Sequence, residues 1–468
     1  MCKKKIILFW TFLVVAVAVI TIVFVDNIAW KEININLSTD YNELFSQKQM
    51  KEKGHVLELP EYATDVSIAY LNHDGTKTLY VYSAPIRFLN SSGQYSIIDT
   101  RMANVKDTTM RDRGYIYTIA NSDIKSFYPK EISETKGILV EKEISFEFGL
   151  SNSNNELAWY KKSNNFIGEE KNMLSYKNLI NNKLDFNVYP SSLGTNCEIL
   201  IKEKLLKEDL NFWFRVTGDN IQIKREPGGY ITMNTYSQDE NGNRTNVILA
   251  VIQKPLLKES NGDISDEVEF ELLPQGDNLY KLKIKTNGRF LKKGTKMFLT
   301  LEMRREKQPD NAIYSKMPNL EYAYLRNYSV IGNSDKYGMG RLLVRYKFAR
   351  FFSLRSTQIK EVNYYVYSLN ETKDKFEMIS VLEDWCSLTG NWSDNYKTGE
   401  KISVGEIKDH ILRFDITNEV RRWCDDATGQ MELNGMMLKS TTEKEGEWSV
   451  LLSNDNTLFN NVTQVNIE

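Results

Sequence analysis

The sequence has little of what most enzymes use. In 468 residues it holds three histidines, His55, His73 and His410, and no two stand at metal-ligand spacing. HExxH, CxxC, GxSxG, GxGxxG and GxxxxGK[ST] are all missing. That removes zinc sites of familiar spacing, nucleophile elbows and phosphate-cradling loops. Carboxylates are numerous, but no pair is singled out. A glycan-active hydrolase working with two acids is therefore the third reading, behind two non-enzymatic ones. Nine prolines exclude long proline-rich linkers. The net charge of −2, from 60 basic and 62 acidic residues, excludes a global basic field for nucleic acid.

Cysteine is also scarce, with Cys2, Cys197, Cys386 and Cys424. Four in a chain this long do not make a disulfide scaffold. Cys386 and Cys424 each follow a tryptophan directly. Two readings stand for them: a disulfide between the pair, or two buried free thiols.

What the chain does have begins at once. After Lys3, Lys4 and Lys5, residues 6–25 (IILFWTFLVVAVAVITIVFV) run without a charge until Asp26. Twenty such residues in a helix span about 30 Å, the hydrocarbon thickness of a bilayer. The expectation is an uncleaved transmembrane anchor. A cytoplasmic tail (1–5) would precede it, and the bulk of the chain would lie on the extracytoplasmic side of the cell membrane. The alternative is a cleaved signal segment and a secreted protein. Residues 26–60 are polar and mixed and read as a stalk.

Beyond Pro60 the hydrophobic period is two. In DEVEFELL (266–273) Val268, Phe270 and Leu272 alternate with glutamates. In LYKLKIK (279–285) Tyr280, Leu282 and Ile284 alternate with lysines. In GRLLVRYKF (340–348) Leu342, Val344, Tyr346 and Phe348 share one face. This is the half-buried strand pattern, and NGD, DGT, ENGN and QGDN punctuate it as turns. The predicted fold class is all-β, in two β-rich modules behind the N-terminal helix. The first spans 61–308. A charged stretch with Pro309 and Pro318 suggests a linker at 309–320. The second module, 321–468, has the size of one antiparallel sandwich.

The second module resembles a DNRLRE domain. The resemblance is carried in order by YLRNYSVIGNSDKYGMGRLLVRYKF (324–348), IKEVNYYVYSL (359–369), ISVLEDWCSLTGNW (379–392), ILRFDITNEVRRW (411–423) and NGMMLKS (434–440). Upstream, 79–102, 184–216 and 251–273 are similar to the extracellular opening of bacterial wall-associated proteins that carry this domain. The chain departs from the pattern where cysteine follows Trp385 and Trp423. The resemblance implies a jelly-roll β-sandwich of the carbohydrate-binding kind on an exported bacterial surface protein.

Candidate binding residues are aromatic, because sugar rings stack on exposed aromatic faces. Trp392, Tyr396 and Trp448 sit in polar, turn-rich surroundings and are the candidate ligand contacts, for a cell-wall or extracellular polysaccharide. Ordinary rim packing is the alternative. Trp385, Phe414, Val420 and Trp423 are expected in the core. No cofactor or catalytic residue is expected. The acid-rich turns 237–243 and 260–267 read as turns, and a single structural calcium stays open. In FDITNEVRRWCDD (414–426) a strand should pass into a short helix capped by Thr417. Glu419 would lie in its first turn, Val420, Trp423 and Cys424 on one apolar face, Arg421 and Arg422 would point away, and Gly429 would stop it.

Overall fold

The computed structural model describes residues 47–468 apart from 134, 152–163, 168–173, 180–182, 205–210, 239–243, 261–263, 266, 277, 287–290, 304–309, 321–327, 371, 387–389 and 455–460. The expected tail, the apolar run 6–25 and most of the stalk lie outside the described residues. So do most of the acid-rich turn 237–243 and half of 260–267. Among the described residues no helix is long and apolar enough to cross a membrane.

The fold class is all-β, in antiparallel sheets. Two of these face each other across the first core. The eight-stranded sheet runs from the edge strand Val268–Gly276 through Leu279–Thr286, Asn211–Thr217, Ser145–Ser151, Ile138–Glu141, Lys125–Pro129 and Tyr115–Asn121 to Asp99–Asn104. The ten-stranded sheet includes Leu174–Asn178, Leu184–Ser191, Gly194–Ile201, Lys296–Met303, Arg244–Ile252 and Ile231–Gln238. Alternation decides what each gives inward. Phe146, Phe148 and Leu150 come from one sheet, and Phe186, Val188 and Ile199 from the other. Phe148 and Phe186 meet with ring centroids 6.4 Å apart. Each such side chain contributes roughly 1.5–3 kcal/mol by leaving water.

The second core is enclosed by one 13-stranded strip that doubles back on itself. Its path runs His55–Glu58, Ser67–Asn72, Lys77–Tyr82, Val462–Ile467, Ile359–Tyr367, Ile411–Asp415, Thr398–Lys408, Lys375–Val381, Met436–Ser440, Gly338–Val344, Tyr328–Ser334 and Trp448–Leu452. Thr398–Lys408 turns the corner. Most of it pairs with Lys375–Val381, while Ile407 and Lys408 pair with Leu412 and Ile411. Register shifts around Ile379 loosen the ladder there, and such bulges bend strands. Val362, Tyr364, Leu412 and Phe414 thereby share a core with Leu342, Val344, Met378 and Leu438. Phe298 and Leu256 of the ten-stranded sheet also enter this core, so the two sandwiches touch.

The structure redraws three expected boundaries. First, the distal part of the expected stalk is folded. Gln47–Glu52 (α1) is a helix whose Met50 packs against the cluster that includes Ile68, Tyr70 and Tyr82, and His55–Glu58 pairs with Tyr70–Asn72. Second, the hairpin Ser67–Tyr82, assigned by sequence to the first module, joins the second. Lys77–Tyr82 pairs along its whole length with Val462–Ile467. Third, the expected linker contains a strand. Asp310–Tyr314 pairs with Gly340–Val344 and is buried on both faces, which is why it shows no alternation.

Candidate functional site

The candidate residues Trp392 and Tyr396 come together on the outer face of the strip. They lean on a small cluster of Ile313, Leu343, Val381, Trp385 and Met437. Trp392 sits in a 3-10 turn whose entry is fixed by Asn391, whose side chain accepts the Ser393 N–H at 2.9 Å. Asp394 accepts from the Asn391 N–H at 2.9 Å and from the Tyr396 hydroxyl at 2.6 Å. Burial and this carboxylate push the Tyr396 hydroxyl up, so it stays a donor. Gly390 lets the turn close, because a Cβ there would lie 2.6 Å from both the Tyr396 hydroxyl and the Cys386 carbonyl oxygen.

The ring of Trp392 is not an open platform. The Arg341 guanidinium lies over it, 4.7 Å from the centroid, and is held by two hydrogen bonds to Glu443 of 2.8 and 3.0 Å. Arg345 repeats the arrangement over Trp385 at 4.6 Å, donating to Asp384 and to the Trp385 carbonyl. Two arginine–tryptophan stacks thus line this face. Trp448 does not join them. It is half-buried against the inner core, in the strand that pairs with Tyr328–Ser334. The three candidates therefore divide into a surface pair and a separate packing residue.

The four expected core residues are buried. Trp385 is 4% exposed and donates to the Asn434 carbonyl at 2.8 Å. Phe414, Val420 and Trp423 are buried in the second core, with Trp423 edge-on to Phe348. The helix Thr417–Asp425 (α2) forms where expected, but its details differ. Ile416, not Thr417, holds the cap position, and Asp415 does the capping by accepting the Thr417 N–H at 3.0 Å. The Thr417 hydroxyl donates to the same carboxylate at 2.6 Å and accepts the Val362 N–H at 2.9 Å, which ties the helix to the sheet. Arg421 reaches back to the Ile359 carbonyl at 2.8 Å, and Arg422 to Glu419 at 2.8 Å. Glu419 is buried and also accepts from the Trp423 indole at 3.2 Å. Burial pushes its carboxyl above the ordinary range, against the pull of Arg422. Gly429 does not stop α2. The helix ends at Asp425, and Gly429, at φ 71°, introduces the next one, Gln430–Asn434 (α3).

Cys386, which is exposed, and Cys424, which is half-buried against the inner core, are not joined by a disulfide. Burial lifts the Cys424 thiol to about 11. Cys197 is free and buried in the first core.

Sequence reasoning missed two polar centres. His55 is buried, stacked on Tyr70 at 4.6 Å. Its Nδ1 donates to Asn72 Oδ1 at 2.6 Å, and its Nε2 accepts from the Tyr80 hydroxyl at 3.1 Å. Burial holds its pKa below 6.5. Glu432 of α3 is also buried, and its carboxylate gathers three backbone N–H groups, from Phe348 and Ala349 at 2.8 Å and Arg350 at 3.1 Å. No local pattern could have flagged either, because their partners arrive from distant strands and turns. Among the described residues no group of three His, Cys, Asp or Glu side chains is placed to hold a metal ion.

No family model matches the chain, and no curated protein matches it. Among solved structures, the N-terminal domain of the Streptococcus gordonii adhesin Sgo0707 aligns with 79% of this chain and 96% of its own, at 6% identity and a TM-score of 0.13. A likeness that weak carries no argument.

Proposed function

We propose that this is a membrane-anchored, extracytoplasmic, non-enzymatic protein that serves cell-envelope or surface structure and binding. The observation that carries the reading is the uncharged run 6–25 behind three lysines, ahead of an all-β body. Strand order supports a jelly roll in the second sandwich. Gly338–Val344, Met436–Ser440, Lys375–Val381 and Thr398–Lys408 are neighbours in one half, and Val462–Ile467, Ile359–Tyr367 and Ile411–Asp415 in the other. The place beside Val462–Ile467 is filled by Lys77–Tyr82. Of the segments behind the DNRLRE resemblance, 359–369, 411–423, 434–440 and the described part of 324–348 carry strands of this sandwich, while 379–392 overlaps only the end of Lys375–Val381; the first four support the resemblance. The test is fractionation of the native host with protease added to intact cells. Membrane-bound protein digested from outside, with residues 6–25 retained by mass, is the expected result. Protein in the soluble cell fraction would overturn it.

A second reading, a carbohydrate-binding module, is favoured by the pairing of Trp392 with Tyr396 beside Asp394 and Arg341. The sugar would contact the rim of this cluster rather than a bare indole face. Wall polysaccharide pull-down that survives Trp448→Ala but is lost in Tyr396→Ala is expected on this reading. Equal retention of both variants would remove it.

A further inference from the structure

Two outer sheet faces of this protein offer solvent different groups. On Leu279–Thr286 the outward side chains are Lys281, Lys283 and Lys285, alternating with the buried Leu282 and Ile284. On the half of the second sandwich away from the Trp392 cluster, the outward side chains are largely amides and tyrosines. Register sets Thr78 opposite Asn466, and Asn466 opposite Glu361. Their side chains form a ladder across the strands. Asn72 donates to the Thr78 hydroxyl at 2.9 Å, and that hydroxyl donates to Asn466 at 3.0 Å. Asn466 donates to Glu361 at 3.2 Å. Arg413 donates to Glu361 at 3.1 Å and to Asn363 at 2.9 Å. Side chains held this way lose little freedom when a ligand arrives. They also keep spare capacity: a second amide N–H on Asn466, further lone pairs on Glu361, and other guanidinium N–H groups on Arg413.

Two groups on this face stay outside the ladder. Gln464 stands between Tyr80 and Asn363 of the flanking strands, half-exposed, and its amide bonds to no described side chain. Tyr365 lies one row along, opposite Val462 and Arg413, half-buried, and its hydroxyl bonds to no described residue. Charge is balanced here. Arg413 pairs with Glu361 at 3.1 Å, and the neighbouring Lys360 with Glu468 at 2.8 Å.

That combination selects the occupant. A polyanion needs cations without carboxylates, and the ladder has none. An apolar helix needs a broad apolar area, and only the row of Val462 and Tyr365 supplies any. An added strand needs an open edge, and this is a face. A pyranose has an apolar ring face and a rim of hydroxyls. These match a tyrosine ring set beside planar amide, carboxylate and guanidinium groups. The open part lies on Val462–Ile467, Ile359–Tyr367 and Ile411–Asp415. It is about 10 Å across, enough for a short run of sugar rings.

We propose that this face binds a neutral, hydroxyl-rich polysaccharide. The Tyr365 ring takes the apolar face of one sugar, and Gln464, Asn466, Glu361 and Arg413 take hydroxyls of that sugar and the next. This assignment rests on the surface-binding reading above, and it puts the contact on the wall away from Trp392 and Tyr396.

The test is native electrophoresis of the full-length chain in a non-ionic detergent. Gels are cast with dextran, mannan or hydroxyethyl cellulose as neutral probes, and with polygalacturonate as the anionic one. The expected result is several-fold retardation by at least one neutral polymer, kept in Tyr396→Ala and lost in Gln464→Ala and in Tyr365→Leu. Gln464→Ala carries the test if Tyr365→Leu fails to fold, because its amide holds no other side chain, and an unchanged melting midpoint checks that. Retardation that survives Gln464→Ala but is lost in Tyr396→Ala overturns this inference and leaves the Trp392 reading standing. No retardation by any neutral polymer, or retardation by polygalacturonate alone, also overturns it, while the membrane-anchor reading still stands on fractionation. A wild-type chain that sediments as a dimer, with Gln464→Ala a monomer, would give the face to a second copy and overturn it.

Discussion

His55 shows how much one side chain can depend on its surroundings. Burial between Tyr70 and Tyr80 holds its pKa down against the hydrogen bond to Asn72, and Lys53 lowers it further. The sign of the pH effect follows. An unfolded chain takes up the proton near pH 6.5, whereas the folded one resists it. Stability from this residue is therefore present above pH 6.5 and is lost as pH falls below it. Denaturant midpoints measured down the range from pH 7 to about pH 5 should decline, and the decline should be shallower in His55→Gln. Glu419 works in the other direction. Its raised pKa means the folded state holds the proton longer, so its contribution weakens as pH rises through the carboxylate range. Trp423, above Glu419 in α2, fills a large volume in the second core. Trp423→Ala should cost about 3–5 kcal/mol, read as a fall in the melting midpoint. A shift near zero would contradict its place in the core. The cysteines give a simple rank. Alkylation of the native protein should be fast at Cys386, slow at Cys424 and undetectable at Cys197 until denaturant is added, with peptide mass as the readout.

Elements show why some of this was legible in the sequence and some was not. Strands with one wet face announced themselves through alternation, as Val268–Gly276 and Leu279–Thr286 do. Asp310–Tyr314 did not, because both of its faces are buried and no period remains. The strand-to-helix junction at Phe414–Asp425 was readable in outline, and its apolar face was placed correctly. The identity of the capping group was not. Thr417 and Asp415 both have suitable oxygens, and the choice is made by Val362, a residue of another strand that needs an acceptor. Asp415→Ala should accordingly cost about 1 kcal/mol, the usual value of a lost cap. Thr417→Val should cost a comparable amount for a different reason, the stranded Val362 N–H. Equilibrium unfolding of both variants checks this. The aromatic site was half legible for a related reason. Polar surroundings flagged Trp392 and Tyr396, but the arginine above Trp392 comes from a strand some fifty positions upstream.

For the whole molecule, composition gave the fold class and a period gave the sandwiches, yet the division between them was misplaced. The linker signal at 309–320 was real as a change of pattern, but the chain had already built part of the second sandwich before entering the first. The first sandwich is an insertion between Lys77–Tyr82 and the strands it accompanies. Fragments should behave accordingly. A chain cut before residue 83 should leave Val462–Ile467 as an unpaired edge and fail to melt cooperatively, whereas one beginning at residue 47 should melt as the full chain does. Calorimetry of the two separates these outcomes.

The bond between the Thr78 hydroxyl and Asn466 joins positions 388 apart in the chain. During synthesis the hairpin Ser67–Tyr82 emerges early and has no neighbour on one side until almost everything else has been made. For that interval its open ladder can capture any extended segment, including the same hairpin of another nascent copy. The order of assembly is therefore set from the far end of the sequence. Yield in a heterologous host should depend on what shelters the early hairpin as much as on the stability of the finished fold.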